Sequence, residues 1–375
     1  MDNHTHTLVG AALARTGLAR ATPLATATLV IAANAPDVDM TAYAAGTYAA
    51  LAVRRGMTHG VAAMVVLPLL VTAGVLAWDR RVRRRRHPDR PPARAAPLLG
   101  LAALGALTHP VLDWTNTYGM RWWLPWSDRW SYGDALFIVD PWLWLLLGGA
   151  VLLCGPRPRG GWLATWTLLG LLASTVVVSA PVPWQAKVVF LAGVAAIAVL
   201  HVAGLPRTGA GKLRSSRVAV ALGAAWVLAT VVVDAWAVRD VTRAAAGAGV
   251  DRVESVMVAP LPGEPHAGDV VVRTPDGYVR GSWRLGRRPR ARLDAAEPVP
   301  FTEASGVPAD RLGDALARAA RTSDVRRFLR WSRYPYWRVE RIEDGYRVRV
   351  SDVRYDRRPA GGLSGVEVRV PAGDG

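Results

Sequence analysis

The sequence predicts a mainly α-helical, multi-pass membrane bundle followed by a smaller α+β domain. Three observations carry that reading. Of the 375 residues, 51% are hydrophobic and only 20% are charged, too apolar for a disordered chain or an ordinary soluble enzyme of this length. Apolar runs of roughly membrane-spanning length recur through the first 240 residues. After residue 250 the pattern changes to short polar/apolar alternation.

The first element is a hairpin of two short apolar helices, over 5–18 and 23–34, joined by a turn that carries Arg15 and Arg20. At 1.5 Å per residue neither helix crosses a bilayer, so the pair is expected to pack inside the bundle. Polar residues come first and no basic leader precedes them, so no signal peptide is expected. Six longer runs follow, at 61–78, 95–112, 135–154, 162–180, 186–204 and 218–238. The loops orient them. Loop 79–94 holds eight arginines and two aspartates, and loops 155–161 and 205–217 are basic without an acid. Positive loops stay in the cytoplasm. The alternate loops, 113–134 and 181–185, then lie outside, as does everything after about 239. The same reading splits the chain into a membrane domain over 1–240 and an extracytoplasmic domain over 250–375. In the latter, strand-like runs at 255–259, 269–273, 278–285, 337–342, 346–353 and 366–370 are punctuated by the turns Thr274-Pro-Asp-Gly277 and Glu343-Asp-Gly345, and 308–330 has helical periodicity.

The net charge of +17 raises nucleic acid as a partner. Its placement in short blocks between apolar segments matches membrane topology instead, so no nucleic-acid partner is expected. The single cysteine, Cys154, excludes a disulfide framework and a Cys-type zinc site. The run Gly209-Ala-Gly-Lys212 lacks the first glycine and the final Ser/Thr of a phosphate loop and reads as a linker.

Four groups of chemically capable residues fall on the expected outer side: His4/His6, Asp37/Asp39 after Pro36, His59, and His109/Asp113, followed by Asp134 and Asp140. His109 and Asp113 are four apart and share a helix face. Asp37 and Asp39 are expected in an extended turn, where both carboxylates can point the same way. Imidazoles and carboxylates together form the mixed nitrogen/oxygen shell of zinc, manganese or iron. An ionisable side chain in or beside an apolar helix costs about 2.5–3.5 kcal/mol unless it is paired, hydrated or metal-bound. A threonine precedes a histidine three times, at Thr5-His6, Thr58-His59 and Thr108-His109. A hydroxyl beside each ligand would suit an outer-shell role. Arg54, Arg55, Arg121 and Arg129 lie near the same face, and arginine forks bind phosphate. The tryptophans between 122 and 144 read mainly as an interfacial belt.

The segments Met1-Asp-Asn-His-Thr-His-Thr-Leu-Val-Gly10, Ala35-Pro-Asp-Val-Asp39, Arg55-Gly-Met-Thr-His-Gly60, His109-Pro-Val-Leu-Asp-Trp-Thr-Asn-Thr-Tyr-Gly119, Leu124-Pro-Trp-Ser-Asp128 and Asp140-Pro141 resemble, in order and spacing, the YdjM/YfhP-like family of membrane-bound metal-dependent hydrolases. The stretch 328–354 is similar to the tail of its longer members. The resemblance implies a metal site at His6, Asp37, Asp39, His59, His109 and Asp113, in the inner membrane. With it, the expected function is hydrolysis of a phosphoester or other ester of a lipid or lipid-linked substrate at the outer membrane face. A divalent cation, zinc or else manganese or iron, would activate water. One of Asp37 and Asp39 would serve as ligand and the other as base, with Arg54 or Arg55 holding the anionic substrate. The rival expectation is a scaffold or sensor with a structural metal and a partner-binding C-terminal domain.

Overall fold

The computed structural model describes residues 1–155, 167–168, 170–173, 175–176, 182–356 and 364–372. They form a helical membrane portion and a C-terminal α/β portion, as the hydropathy pattern predicts. Two compact units are present: Met1–Val38 with Arg55–Trp236 and Ala259–Gly268, and Asp39–Arg54 with Ala237–Val258 and Asp269–Gly375.

In the first unit the predicted hairpin is the helix pair Asn3–Arg15 and Ala25–Asn34. Asp2 caps the first helix, accepting from the Thr5 amide at 3.0 Å. The second helix lies between the first and the helix Ala95–Trp114. Two glycines allow this. A methyl group on Gly10 would sit 2.8 Å from the Leu29 carbonyl oxygen, and one on Gly105 would sit 2.9 Å from the same atom. Small residues let helix backbones approach closely where lipid supplies no hydrophobic drive. Ala14, Ala25, Leu29 and Leu101 fill the joint.

Four helices among the described residues are long and apolar enough to cross a membrane: Ala63–Arg86, Ala95–Trp114, Trp184–Val202 and Gly209–Gly247. Their outward surfaces keep large apolar side chains exposed, among them Val65, Leu69, Leu70, Val199 and Val232. That pattern suits lipid. The expected run at 135–154 becomes helical only at Pro141, because Asp140 accepts from the Leu143 amide at 2.8 Å and ends the preceding loop as an N-cap. The expected run at 162–180 lies largely outside the described residues.

The arginine-bearing ends converge. The Arg94 amide donates to Thr22 Oγ1 at 2.8 Å, its guanidinium reaches the Ala21 carbonyl, and Arg217 donates to the Thr16 carbonyl at 3.2 Å. The hairpin turn thus shares one end of the bundle with residues of two basic loops, and the histidine-bearing ends lie at the other.

In the second unit the strands Thr302–Ser305, Pro335–Ile342, Gly345–Asp352 and Gly365–Pro371 form a sheet in that order. The last three run antiparallel, and the turn Glu343-Asp-Gly345 read from sequence joins the first two of them. The helical run at 308–330 is two helices, Ala309–Arg321 and Ser323–Trp331, broken at Thr322. The apolar face of the first, with Ala315 and Ala319, closes over Val339, Tyr346, Val348 and Val370. The helix Thr47–Val53 packs on Ser323–Trp331, with Tyr48 donating to the Gly365 carbonyl at 3.0 Å. Short strands at Ala291–Leu293 and Val299–Pro300 pair with Gly277–Arg284. Two or three residues of alternation are too few to have been read as strands.

Candidate metal centre

Asp37, His59, His109 and Asp113 converge at one end of the first unit. Each offers one ligand atom, and the four atoms lie within 4.8 Å of one another, all buried. Three devices place them. The helix Ala95–Trp114 carries His109 and Asp113 one turn apart, and His109 is one turn beyond Gly105, so the close helix approach brings its ring to the C-terminal end of Ala25–Asn34. There His109 Nδ1 lies 2.7 Å from the Ala33 carbonyl oxygen. The loop carrying His59 is clamped against the segment after Gly119. Arg121 donates its amide to the Arg55 carbonyl at 3.0 Å, and the Val61 amide donates to the Trp122 carbonyl at 2.9 Å. Asp37 follows directly from the second helix.

Both ring orientations are set from behind. A carbonyl accepts only a proton, so His109 carries hydrogen on Nδ1 and presents the Nε2 lone pair to the cluster. His59 Nδ1 sits 3.0 Å from Thr58 Oγ1, which fixes the same tautomer when the hydroxyl accepts. The two Nε2 atoms then face each other at 3.2 Å. Two lone pairs at that distance repel unless a cation or proton lies between them. The neighbouring distances are 3.3 and 3.6 Å from Asp113 Oδ2 to His59 and His109, and 3.8 and 3.7 Å from Asp37 Oδ1 to the same rings. Four tetrahedral donors about 2.1 Å from one ion stand about 3.4 Å apart. The donor set therefore fits a single divalent cation.

Asp113 is the hub. Arg55 Nε lies 2.8 Å from its Oδ2 and Nη2 donates to its Oδ1 at 3.1 Å, while Nη1 donates to Asn116 Oδ1 at 2.6 Å. The Met1 amino group also donates to Asp113. His6 is fully buried with Nε2 3.2 Å from Asp113 Oδ1, and its ring stacks on His109 with centroids 3.6 Å apart. It is therefore beside the four-residue group rather than within it.

The expectation of an extended Asp37–Asp39 turn does not hold. Residues Ala35–Ala45 form a 3₁₀ helix, because Pro36 is tolerated in the first turn of a helix, where no amide partner is needed. At three residues per turn, positions two apart point about 240° apart. Asp37 joins the cluster, and Asp39 lies 3.6 Å from Arg54 Nε. The triple Thr-His coincidence also separates. Thr58 touches its histidine, but Thr5 donates to Asp2 at 2.6 Å and Thr108 to the Gly105 carbonyl at 2.7 Å. His4 is exposed and 3.7 Å from Asp2. Asp140 caps a helix and accepts from Trp226 at 3.3 Å. Arg121 is buried, donating to Asp128 at 2.9 Å with its guanidinium over Trp130. Arg129 is exposed. Asn116 and the Ala33 carbonyl were not singled out in sequence. Asn116 lies inside the histidine motif, three residues past Asp113, whereas the carbonyl leaves no mark in side-chain identity.

Comparison with known proteins gives two family matches. The family model of the YdjM inner membrane protein matches residues 1–182. The YfhP C-terminal alpha/beta plait domain matches residues 314–360. No curated protein and no solved structure matches the chain. The first match holds every member of the buried cluster, and the second holds the end of the helix Ala309–Arg321, all of Ser323–Trp331 and the central strands of the C-terminal sheet. The chain is accordingly similar to YdjM inner membrane proteins over residues 1–182 and to the YfhP C-terminal domain over residues 314–360.

Proposed function

We propose that this protein is a membrane-bound metal-dependent hydrolase acting on a phosphoester or other ester of a lipid or lipid-linked substrate at the outer face of the membrane. The observation that carries the proposal is the pair of histidine Nε2 atoms 3.2 Å apart, flanked by two buried carboxylates. His59, His109, Asp37 and Asp113 would hold the ion, with His6 adjacent to receive a ligand shift or a second donor role. A zinc-type cation held there would supply a water of pKa lowered toward about 7 and a positive charge for a phosphoryl or carbonyl oxygen. The Ala33 carbonyl and Thr58 hold the imidazole tautomers. Arg55 orients Asp113 and offsets its charge. In this reading Asp37, with one carboxylate oxygen toward the ion, takes the proton from water through the other. In this reading the C-terminal domain is extracytoplasmic, following the basic loops at 79–94 and 205–217.

One feature favours a second reading, a structural ion in a scaffold or sensor. His6, His59 and His109 are each 0% exposed, and closed sites with four protein ligands are structural whereas catalytic sites keep a position open. Metal analysis of the full-length protein in detergent, with lipid-phosphoester hydrolysis assays on the parent, His109→Ala and Asp113→Ala, separates the two. The hydrolase reading expects stoichiometric metal and a hydrolytic rate that both substitutions abolish. Activity surviving both, or metal without activity on any ester, rejects it.

A further inference from the structure

The end of the bundle opposite the histidines holds two adjoining hollows of opposite character. One, about 460 Å³, is lined by Arg20, Thr22, Pro91, Pro92 and Arg94. The other, about 340 Å³, is an apolar groove between the helices Ala25–Asn34 and Ala63–Trp78, lined by Leu24, Ala27, Ile31, Val71, Val75 and Trp78. They meet at the consecutive residues Pro23 and Leu24. The polar hollow is a built feature. The Arg94 backbone and side chain are bound to Thr22 and Ala21, and the Ala93 amide donates to buried Asp79 at 3.0 Å. Arg20 and Arg94 have no carboxylate partner among the described residues, and exposed Arg80, Arg81 and Arg84 extend the positive field. The ten-residue helix Ala25–Asn34, about 15 Å long, separates this end from Asp37 and His109.

We propose that this is a binding site for one anionic phospholipid, with its phosphate at Arg20 and Arg94 and one acyl chain in the groove. Guanidinium groups without carboxylate partners select a phosphate that keeps its net negative charge. The groove, with Ile31 and Trp78 each half exposed, distinguishes a lipid from a soluble anion, which has no use for it. The site is independent of the metal centre and of any hydrolytic activity.

The test is native mass spectrometry of the full-length protein with phosphatidylglycerol or phosphatidylcholine of identical acyl chains. One phosphatidylglycerol is expected to remain bound, while phosphatidylcholine does not. The double variant Arg20→Gln/Arg94→Gln is expected to weaken phosphatidylglycerol binding about 25-fold, about fivefold per arginine. Gly74→Leu tests the groove. Gly74 lines the groove and a Cβ there meets no atom within 4 Å, so the variant is expected to fold, narrow the groove and reduce lipid retention, with metal content and thermal midpoint unchanged. Millimolar inorganic phosphate leaves the bound lipid in place. Equal retention of the two lipids, retention unaffected by either variant, or displacement by phosphate would overturn the proposal, the last outcome indicating a free-anion site.

Discussion

The Asp113 carboxylate is shared among Arg55, His6, His59 and His109 inside a buried cluster, so its neighbours act on any bound ion through it. Arg55→Gln removes the group that orients Asp113, and ligand-orienting partners are worth about 10–100-fold in metal affinity. A loss of that size is expected in competition titration with a chelating dye. Arg55→Lys does not rescue it, because one ammonium cannot serve Asp113 and Asn116 as the guanidinium fork does. Thr58→Val should weaken metal by a similar factor, since it strips the partner of His59 Nδ1. Thr108→Val should leave affinity unchanged, because that hydroxyl is turned to its own helix backbone. Equal effects of the two threonine substitutions would refute the assigned tautomer control. The residue types at this centre were legible in sequence: His59, His109 and Asp113 are polar residues that apolar surroundings do not tolerate without partners. Which threonine mattered was not, because a hydroxyl's direction depends on the turn geometry around it.

At the scale of elements, the close approach at Gly10, Leu29 and Gly105 sets the spacing of the centre. His6 is one turn before Gly10 and His109 one turn after Gly105. Gly105→Val forces the backbones apart. We expect a destabilisation of about 1–3 kcal/mol from overpacking, read as a lowered thermal midpoint, together with loss of metal as His109 leaves the Ala33 carbonyl. A lowered midpoint with full metal content would show that the glycine serves packing alone. The C-terminal sheet has its own tie. Asp352 accepts from Ser332 Oγ at 2.7 Å, from the Arg333 and Tyr334 amides, and from Arg354 Nε at 2.8 Å. Burial alone would raise its pKa, but Arg354 and the hydroxyl and amide donors hold the carboxyl below the usual range. A depressed folded value means this stabilisation is complete above the unfolded value of about 3.9 and is lost as pH falls through the folded one. Breaking such a buried pair costs about 3–5 kcal/mol. Asp352→Asn is therefore expected to speed hydrogen exchange across Pro335–Ile342 at pH 7, with the difference from the parent shrinking in strong acid. The hairpin, the strand pairs and the turns at Gly277 and Gly345 could all be read from periodicity. The break at Thr322 and the 3₁₀ course of Ala35–Ala45 could not, because both conformations satisfy the same local composition.

For the whole molecule, chain order and spatial grouping differ. Asp39–Arg54 belongs with the C-terminal unit, where Tyr48 packs edge-on against Phe328. This excursion begins two residues after Asp37 and ends immediately before Arg55. Phe328 is fully buried, so Phe328→Ala is expected to cost about 3–5 kcal/mol. Hydrogen exchange should then rise in Thr47–Val53 together with Ser323–Trp331. Faster exchange confined to the second segment would show that the two do not unfold together.

The sequence by itself determined that this chain enters a membrane, that an α/β portion follows, and which histidines and aspartates have no place in an apolar helix without a partner. Those conclusions rest on composition and on periods of two and 3.6 residues, which local chemistry sets. Only the tertiary structure decided that Asp37 rather than Asp39 stands with His59, His109 and Asp113, and that Arg55 is spent holding a carboxylate. The reason is that these contacts join segments up to about a hundred residues apart. Helix approach at two glycines and a loop clamped by backbone hydrogen bonds settle them, and neither leaves a periodic trace in the chain.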